Sequence, residues 1–398
     1  MLHVARVRHF VRIARASTRL VSASVLALCM AQSASAQTPA PNVALSWGVD
    51  TTITAVSDIV QLMRAYLARP DSTARIRGLW STKNRFDAQH GDLATEAYQG
   101  FPATILGITG IGVGDSVFIV KVLHANSDNT QQRVRPLALQ RFYAVRAAGS
   151  TYGWQLASPL PRLTREWRRW DEGRLTLWYA PGQRHSPQKA RQASQFVDSV
   201  ARVFGVAPPQ HLDVYMTATM DEGAKLLGLD FFVEESGPGT GLGGRGGGAG
   251  ILLLSNPAIG EAYFHEFVHA VLVPSIPSRN SLFVEGVAVW LGGSEGRSLK
   301  ELCALLYEYQ RVHPTVTVSD ILTGEAPGGH DATIALYATR GLIADAIFQR
   351  QGVQGLRKFA NEEGAPIDIL KVLPKYIDGI DADSDRWWHS EVANRRNH

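Results

Sequence analysis

Two histidines one helical turn apart impose the strongest constraint on how this chain can fold. His265, Glu266 and His269 form the pattern His-Glu-x-x-His inside an apolar segment, Ala258 to Val273, which predicts a helix ended by Pro274. Residues four positions apart lie above one another on a helix, so both imidazoles can reach one Zn²⁺ ion. Glu266 is turned about 100° from His265, which puts its carboxylate beside the metal as a general base.

A catalytic zinc site needs a third protein ligand and an open position, and the next apolar segment supplies a carboxylate. Glu285 lies sixteen residues after His269, in a segment from Phe283 to Trp290 that predicts a helix ended by Gly292 and Gly293. An antiparallel return of this helix would bring Glu285 to the metal. The two histidines and this glutamate are therefore the predicted ligands of one Zn²⁺ per chain. The alternative interpretation is a core helix with buried histidines and no metal.

These two motifs resemble the gluzincins, and specifically the peptidase MA-like family. Leu336-Tyr337-Ala338 before a long helix and a final segment with Trp387 and Trp388 are also similar to that family. The resemblance covers about Leu160 to His398 and implies a mostly helical metallopeptidase domain with a small β-sheet. It implies the same metal ligands and the same base, with peptide bonds hydrolysed by glutamate-assisted attack of zinc-bound water.

The resemblance also implies further parts of the site. Related enzymes use Tyr or His downstream of the glutamate ligand to stabilise the oxyanion, which suggests Tyr337 first and His330 second as catalytic residues. It suggests Ile251 to Ser255 as an edge strand that pairs with substrate backbone. The sequence departs from the family at Val289, where thermolysin-like enzymes have an acidic residue that orients a ligand. No acidic residue occurs between positions 235 and 261, where aminopeptidases of the clan bind the substrate amine, so endopeptidase activity is favoured.

The first 36 residues have the pattern of a secretory signal peptide. Five arginines and no acidic residue accompany the apolar run Leu20 to Ala31, before Ala34-Ser35-Ala36. We expect residues 1–36 to be removed, residues 37–45 to be a linker, and the protein to be periplasmic or extracellular. Removing five of 40 basic residues leaves 35 against 36 acidic ones, which gives no reason to expect a nucleic acid or an anionic membrane as partner. No later apolar run has the length of about 18 residues that a membrane span needs.

Residues 46–159 predict an N-terminal accessory domain. A helix over about 50–69 precedes strand-like runs at Ala103 to Thr109, Ser116 to Ala125, Pro136 to Ala147 and Tyr152 to Ser158. The short turns between these runs predict an antiparallel meander, and a helix followed by a curved sheet resembles the nuclear transport factor 2-like α+β cone. Such cones often hold a small ligand, and His124 and Arg141 are polar residues on separate strands of the meander.

Three shorter segments of the sequence also lead to structural predictions. Cys303, in an apolar helical stretch, is expected to be a buried thiol and not a nucleophile. The segment Gly237 to Gly250, with nine glycines in fourteen residues, is expected to be a flap. The arginine- and tryptophan-rich segment Leu160 to Arg174 fits a connector better than a stacking surface for single-stranded nucleic acid.

The sequence therefore predicts an α+β chain with an accessory domain at 46–159 and a zinc metallopeptidase domain at 160–398. Three functions stay open at this point. One is a secreted zinc-dependent peptidase, with endopeptidase activity favoured, that acts on a peptide or protein substrate. Another is a zinc-containing binding or scaffold protein without turnover, which the intact base Glu266 argues against. The third is small-molecule binding by the N-terminal domain.

Overall fold

The computed structural model describes residues 43–68, 78–83, 101–111, 116–128, 133–232, 244–246, 250–380 and 384–397, so the predicted signal peptide lies outside the described residues. Helices and strands are mixed along the described chain, which has two sheets and a largely helical C-terminal part. None of the described helices combines the length and the apolar character required to cross a bilayer.

The strands of the described chain are short except in the first sheet. They are β1 (Val43–Leu45), β2 (Ala103–Ile111), β3 (Val117–Asp128), β4 (Arg133–Arg146), β5 (Trp154–Ala157), β6 (Arg168–Glu172), β7 (Leu175–Tyr179), β8 (Leu212–Met216), β9 (Leu229–Phe232), β10 (Gly244–Gly246) and β11 (Ile251–Leu254). The helices are α1 (Thr54–Leu67), α2 (Leu160–Leu163), α3 (Pro187–Phe204), α4 (Met220–Leu226), α5 (Phe264–Leu272), α6 (Ser281–Gly292), α7 (Leu299–Val312), α8 (Val318–Thr323), α9 (His330–Phe359, interrupted at Gly352), α10 (Pro366–Leu370) and α11 (Ser384–Asn397).

The first sheet contains β1 to β5 in chain order. Strands β2 to β5 pair antiparallel with their neighbours, as the short turns of the sequence predict, and β1 runs parallel to β2. The apolar face of α1 covers this sheet, with Ile59 and Leu62 fully buried. Tyr66 of α1 makes edge-to-face ring contacts with Trp80 and Phe142, at centroid distances of 5.9 and 5.6 Å. Aromatic packing therefore joins the helix to the sheet.

Strand β9 extends the first sheet with residues from later in the chain. It pairs antiparallel with β4, so that Leu139 lies opposite Phe231. A salt bridge between Arg141 and Asp230 and apolar contacts of Leu229 support the pairing. This sheet therefore includes residues on both sides of position 160.

The second sheet has the strand order β10-β11-β8-β7-β6, and its three central strands are parallel. Strand β11 lies between β8 and β10, because Leu252 pairs with Val214 on one side and Gly246 on the other. The expectation that Ile251 to Ser255 forms an edge strand for substrate is therefore wrong. The physical reason is burial, since the four residues of β11 are apolar and buried, as in the centre of a parallel sheet.

The helix predicted over Ala258 to Val273 is shorter in the structure. A 3₁₀ turn at Gly260–Ala262 is followed by Tyr263, whose φ of −79° and ψ of 73° are not helical, and α5 begins at Phe264. The break turns Glu261 into the core, where its carboxylate has partners outside this helix. These hydrogen bonds satisfy the buried carboxylate of Glu261 before the helix begins.

Glycines allow α6 to pack closely on α9. A β-carbon at Gly286 would lie 2.6 Å from the carbonyl oxygen of Arg340, and one at Gly341 would lie 2.7 Å from Cγ1 of Val289. Val289 is fully buried in this contact. The two helices can therefore approach closely because glycine has no side chain, and little space remains for either helix to shift.

The buried thiol predicted at Cys303 is present on α7, with no exposed surface. Burial raises the pKa of this thiol to about 11. For protein without residues 1–36, and so without the second cysteine Cys29, we expect the native form to react with 5,5′-dithiobis(2-nitrobenzoate) about a hundredfold more slowly than the urea-unfolded form, because the thiolate fraction falls by that factor. Absorbance at 412 nm measures the reaction. A native rate close to the unfolded rate would contradict this burial.

Candidate metal centre

Helices α5 and α6 bring His265, His269 and Glu285 into one cluster. Nε2 of His265 is 3.1 Å from Nε2 of His269 and 3.3 Å from Oε2 of Glu285. Oε1 of Glu285 is 3.6 Å from Nε2 of His269. The ligand atoms all lie within 4.8 Å of one another, so the cluster could hold a metal ion.

The separations of these atoms fit a tetrahedral zinc ion. Bonds of about 2.0–2.1 Å at tetrahedral angles leave ligand atoms about 3.3 Å apart. The separations from Nε2 of His265 to Nε2 of His269, 3.1 Å, and to Oε2 of Glu285, 3.3 Å, lie close to this value, and the other carboxylate oxygen is 3.6 Å from Nε2 of His269. Two imidazole nitrogens and one carboxylate are also the ligand set that catalytic zinc sites use. The donor set and its spacing therefore suit Zn²⁺.

A backbone carbonyl orients the first histidine. Nδ1 of His265 lies 2.9 Å from the carbonyl oxygen of Gly293, which can only accept a hydrogen bond. Nδ1 therefore carries a proton, which leaves Nε2 as the ring nitrogen that could ligate a metal once it has lost its own proton. Gly293 has a φ of 73°, and a β-carbon there would lie 2.0 Å from the carbonyl oxygen of Arg297. Only glycine fits this turn, which ends α6 and presents the carbonyl to His265.

Burial and the carboxylates set the protonation of the cluster. Burial lowers the pKa of His269 to about 4, so this imidazole is neutral at pH 7 and its lone pair is available. Burial opposes the charge of Glu285, but the hydrogen bond from His265 and nearby positive charges hold the pKa of this carboxyl below its usual value. Burial likewise opposes a charge on His265, yet the carboxylates of Glu285 and Glu266 raise its pKa above the usual value. The electrostatic surroundings of these three side chains therefore favour a cation between them.

Glu266 lies beside the cluster and is not one of its three converging groups. Its side chain is buried, with 6% of the residue surface exposed. Burial raises the pKa of Glu266 to about 7, and the charge of Glu285 adds to this rise against the opposing effect of His265. A carboxyl group with a pKa near neutrality can accept and return a proton at physiological pH.

The two residues suggested for oxyanion stabilisation lie in different surroundings. Tyr337 of α9 is partly buried, and its ring stands edge-on to that of His265 at a centroid distance of 5.9 Å. Burial raises the pKa of Tyr337, so its hydroxyl keeps its proton. His330, at the start of α9, is 62% exposed in its side chain and faces Glu295, with 3.6 Å between Nε2 and Oε2. The structure thus brings Tyr337 to the cluster, whereas the contact of His330 is with Glu295.

Residues outside the motifs support the start of α5. The carboxylate of Glu261, four positions before His265, accepts hydrogen bonds from the Tyr179 hydroxyl and the Ser186 N–H, each at 2.8 Å. These contacts link the entry to α5 with β7 and with the N-terminus of α3. The motifs do not predict a role for Glu261, whose one signal in the sequence is an acidic residue within an otherwise apolar segment. Nor do they predict the carbonyl of Gly293, for which the paired glycines at the end of α6 are the signal.

The polar residues of the meander have separate partners. Nε2 of His124 lies 3.1 Å from Oε1 of Gln140, and both residues are buried. Nε of Arg141 donates to Oδ1 of Asp230 at 3.0 Å. The structure therefore does not join His124 and Arg141 in one polar cluster.

No family model matches the chain, and no curated protein matches it significantly. The geometry of the cluster is therefore the basis for the function proposed below.

Proposed function

We propose that this protein is a zinc-dependent peptidase, with endopeptidase activity favoured. The observation that carries the proposal is the convergence of His265, His269 and Glu285 at the spacing of zinc ligands, with the buried carboxyl group of Glu266 beside them. A purely structural zinc site is usually closed by four protein ligands. Three ligands and an adjacent proton acceptor are what catalysis requires.

In the proposed mechanism, His265, His269 and Glu285 hold the metal. Zn²⁺ bound there supplies a Lewis acid that polarises the scissile carbonyl and lowers the pKa of a water molecule. Glu266 accepts a proton from the attacking water and then passes it to the leaving amine. The hydroxyl of Tyr337, which remains protonated, donates a hydrogen bond to the carbonyl oxygen as it gains negative charge.

The finer fold assignments belong to the same proposal. The peptidase MA-like resemblance suggests a gluzincin-type domain at 160–398 that acts on a peptide or protein substrate. The meander of β2 to β5 with α1 fits a nuclear transport factor 2-like cone at 46–159. The signal-peptide pattern supports a periplasmic or extracellular location. None of these assignments is required for the metal chemistry.

A digest of a proteome-derived peptide library tests the proposed function. The protein is incubated with the library as purified, after treatment with 1,10-phenanthroline, and after chelator removal and addition of Zn²⁺. Mass spectrometry identifies the products. We expect internal cleavages that stop with the chelator and return with Zn²⁺. Trimming from peptide N-termini would overturn the endopeptidase assignment, and unchanged peptides with zinc confirmed bound would favour a binding or scaffold protein.

Replacement of Tyr337 by phenylalanine is expected to lower kcat by about 10²-fold, because the oxyanion loses one hydrogen-bond donor. The bound zinc content should not change, since the ring that packs against His265 remains. Steady-state kinetics on a cleaved peptide and metal analysis measure the two effects. His330→Ala serves as the matched comparison, and its kcat should stay within about twofold because the side chain is largely exposed. Strong loss in His330→Ala with little change in Tyr337→Phe would reverse the assignment.

A further inference from the structure

A basic cavity lies beside the first sheet. Its volume is about 550 Å³, and β3, β4, β5 and α2 contribute to its walls. The lining includes the positively charged side chains Lys83, Arg146, Arg162 and Arg165, together with Ser81, and none of the described lining residues is acidic. Positive charges gathered around a concavity create a field that attracts anions.

The positive charges of this cavity are poorly neutralised by the protein. Within the part of the chain that the structure describes, no salt bridge joins Lys83, Arg146 or Arg162 to a carboxylate. Arg165 approaches Glu166 at 3.8 Å, but both side chains are more than four-fifths exposed. Such a pair in water contributes little. Among the described residues, the cavity therefore has more basic than acidic side chains around it.

Two other arginines of the connector, residues 160–174, have carboxylate partners. Arg169 is 3.0 Å from Oδ1 of Asp171, and Nε of Arg174 is 2.9 Å from Oδ1 of Asp198. Arg168 donates to the carbonyl oxygen of Gln183, so Arg162 and Arg165 are the arginines of the connector that line the cavity.

Aromatic rings hold two of the guanidinium groups at the cavity. Cζ of Arg146 lies 5.0 Å from the ring centroid of Trp154, and Cζ of Arg162 lies 5.4 Å from that of Tyr143. Stacking restricts these long side chains before any ligand arrives, which lowers the entropy lost on binding. Ser81, which is 2% exposed, accepts a hydrogen bond from the N–H of Lys83 at 3.2 Å, so its hydroxyl proton can be donated to a ligand.

We propose that this cavity binds a phosphate-bearing ligand. Guanidinium groups match the oxygen geometry of phosphate, and several positive charges suit its multiple charged oxygens better than a single carboxylate. The volume exceeds that of a bare ion and lies in the range of small-molecule sites, so the phosphate belongs to a larger molecule. The source is either a soluble phosphorylated compound or the phosphodiester headgroup of a lipid. The proposal does not depend on peptidase activity.

Two binding assays with one pair of variants test this site and separate the two sources. Isothermal titration calorimetry at fixed ionic strength uses sn-glycerol 3-phosphate, with glycerol as the uncharged comparison. Co-sedimentation uses phosphatidylglycerol vesicles against phosphatidylcholine vesicles. The test variant is Arg146→Gln/Arg162→Gln. The control variant is Arg191→Gln/Arg202→Gln, which removes the same charge from exposed positions of α3 that do not line the cavity.

We expect the test variant to weaken binding of at least one probe by about tenfold or more, and the control variant to bind like the wild type. Saturable binding of sn-glycerol 3-phosphate would identify a soluble ligand, and binding confined to phosphatidylglycerol vesicles would identify a headgroup. Absence of binding in both assays would overturn the proposal. Equal losses in the two double variants would also overturn it, because only net charge would then matter. Circular dichroism melting checks that both variants are folded.

Discussion

Replacement of Glu266 by glutamine is expected to reduce kcat/KM for peptide hydrolysis by about 10³-fold or more while the zinc content stays unchanged. Glutamine has nearly the same size and keeps the packing of the buried side chain. Its amide cannot accept a proton from the attacking water, so the contribution of general-base catalysis is lost. Initial rates on a peptide found in the library digest and metal analysis of the same preparation measure the two quantities.

Glu308→Gln is a suitable control for this experiment, because Glu308 is an exposed residue of α7 whose contact is with Arg311. Its activity and zinc content should match those of the wild type. Full activity of Glu266→Gln would remove this residue from the mechanism. Loss of zinc together with activity would instead assign Glu266 to metal retention, in conflict with its position outside the converging cluster.

The elements that could be predicted from sequence are those whose pattern is local. Helix α1 and strands β2 to β5 were expected from apolar periodicity, and the structure has them within a few residues of the expected bounds. The spacing of His265 and His269 follows from one helical turn, and it predicts that both side chains face the same point. Glu285 could be predicted as the third ligand because it is the one carboxylate in the next apolar helix, and a carboxylate is a common zinc ligand. In each case the information lies within a short stretch of chain.

The elements that could not be predicted depend on partners far apart in sequence. Periodicity shows that Ile251 to Leu254 is buried, but not that β10 covers its second edge. Val289 stands where related enzymes have an acidic residue that orients a ligand, so the sequence does not identify the partner of His265. The structure supplies a backbone carbonyl at Gly293, and a carbonyl has no side chain by which a sequence could reveal it. The start of α5 likewise depends on the bonds of Glu261 to other elements.

A second large effect is expected at Gly292, where α6 meets the first turn of α5. A β-carbon at this position would lie 2.6 Å from the backbone nitrogen of His265 and 2.7 Å from the carbonyl carbon of Phe264. Backbone atoms cannot move aside by changing rotamer, so Gly292→Ala must push the two helices apart. We expect a loss of about 3 kcal/mol in the free energy of unfolding. Urea denaturation of the metal-free protein measures this loss.

The same displacement should weaken zinc binding by about tenfold or more, since Glu285 and His265 lie on the two helices that separate. A competition titration against a chromophoric chelator measures this affinity. Gly107→Ala is the matched control, because a β-carbon at Gly107 of β2 would meet no atom within 4 Å, and its effect on unfolding should stay below about 1 kcal/mol. If Gly292→Ala unfolded and bound zinc like Gly107→Ala, the close contact of α6 with α5 would not determine the geometry of the cluster. If only zinc affinity fell, the contact would position the ligands without supporting the fold.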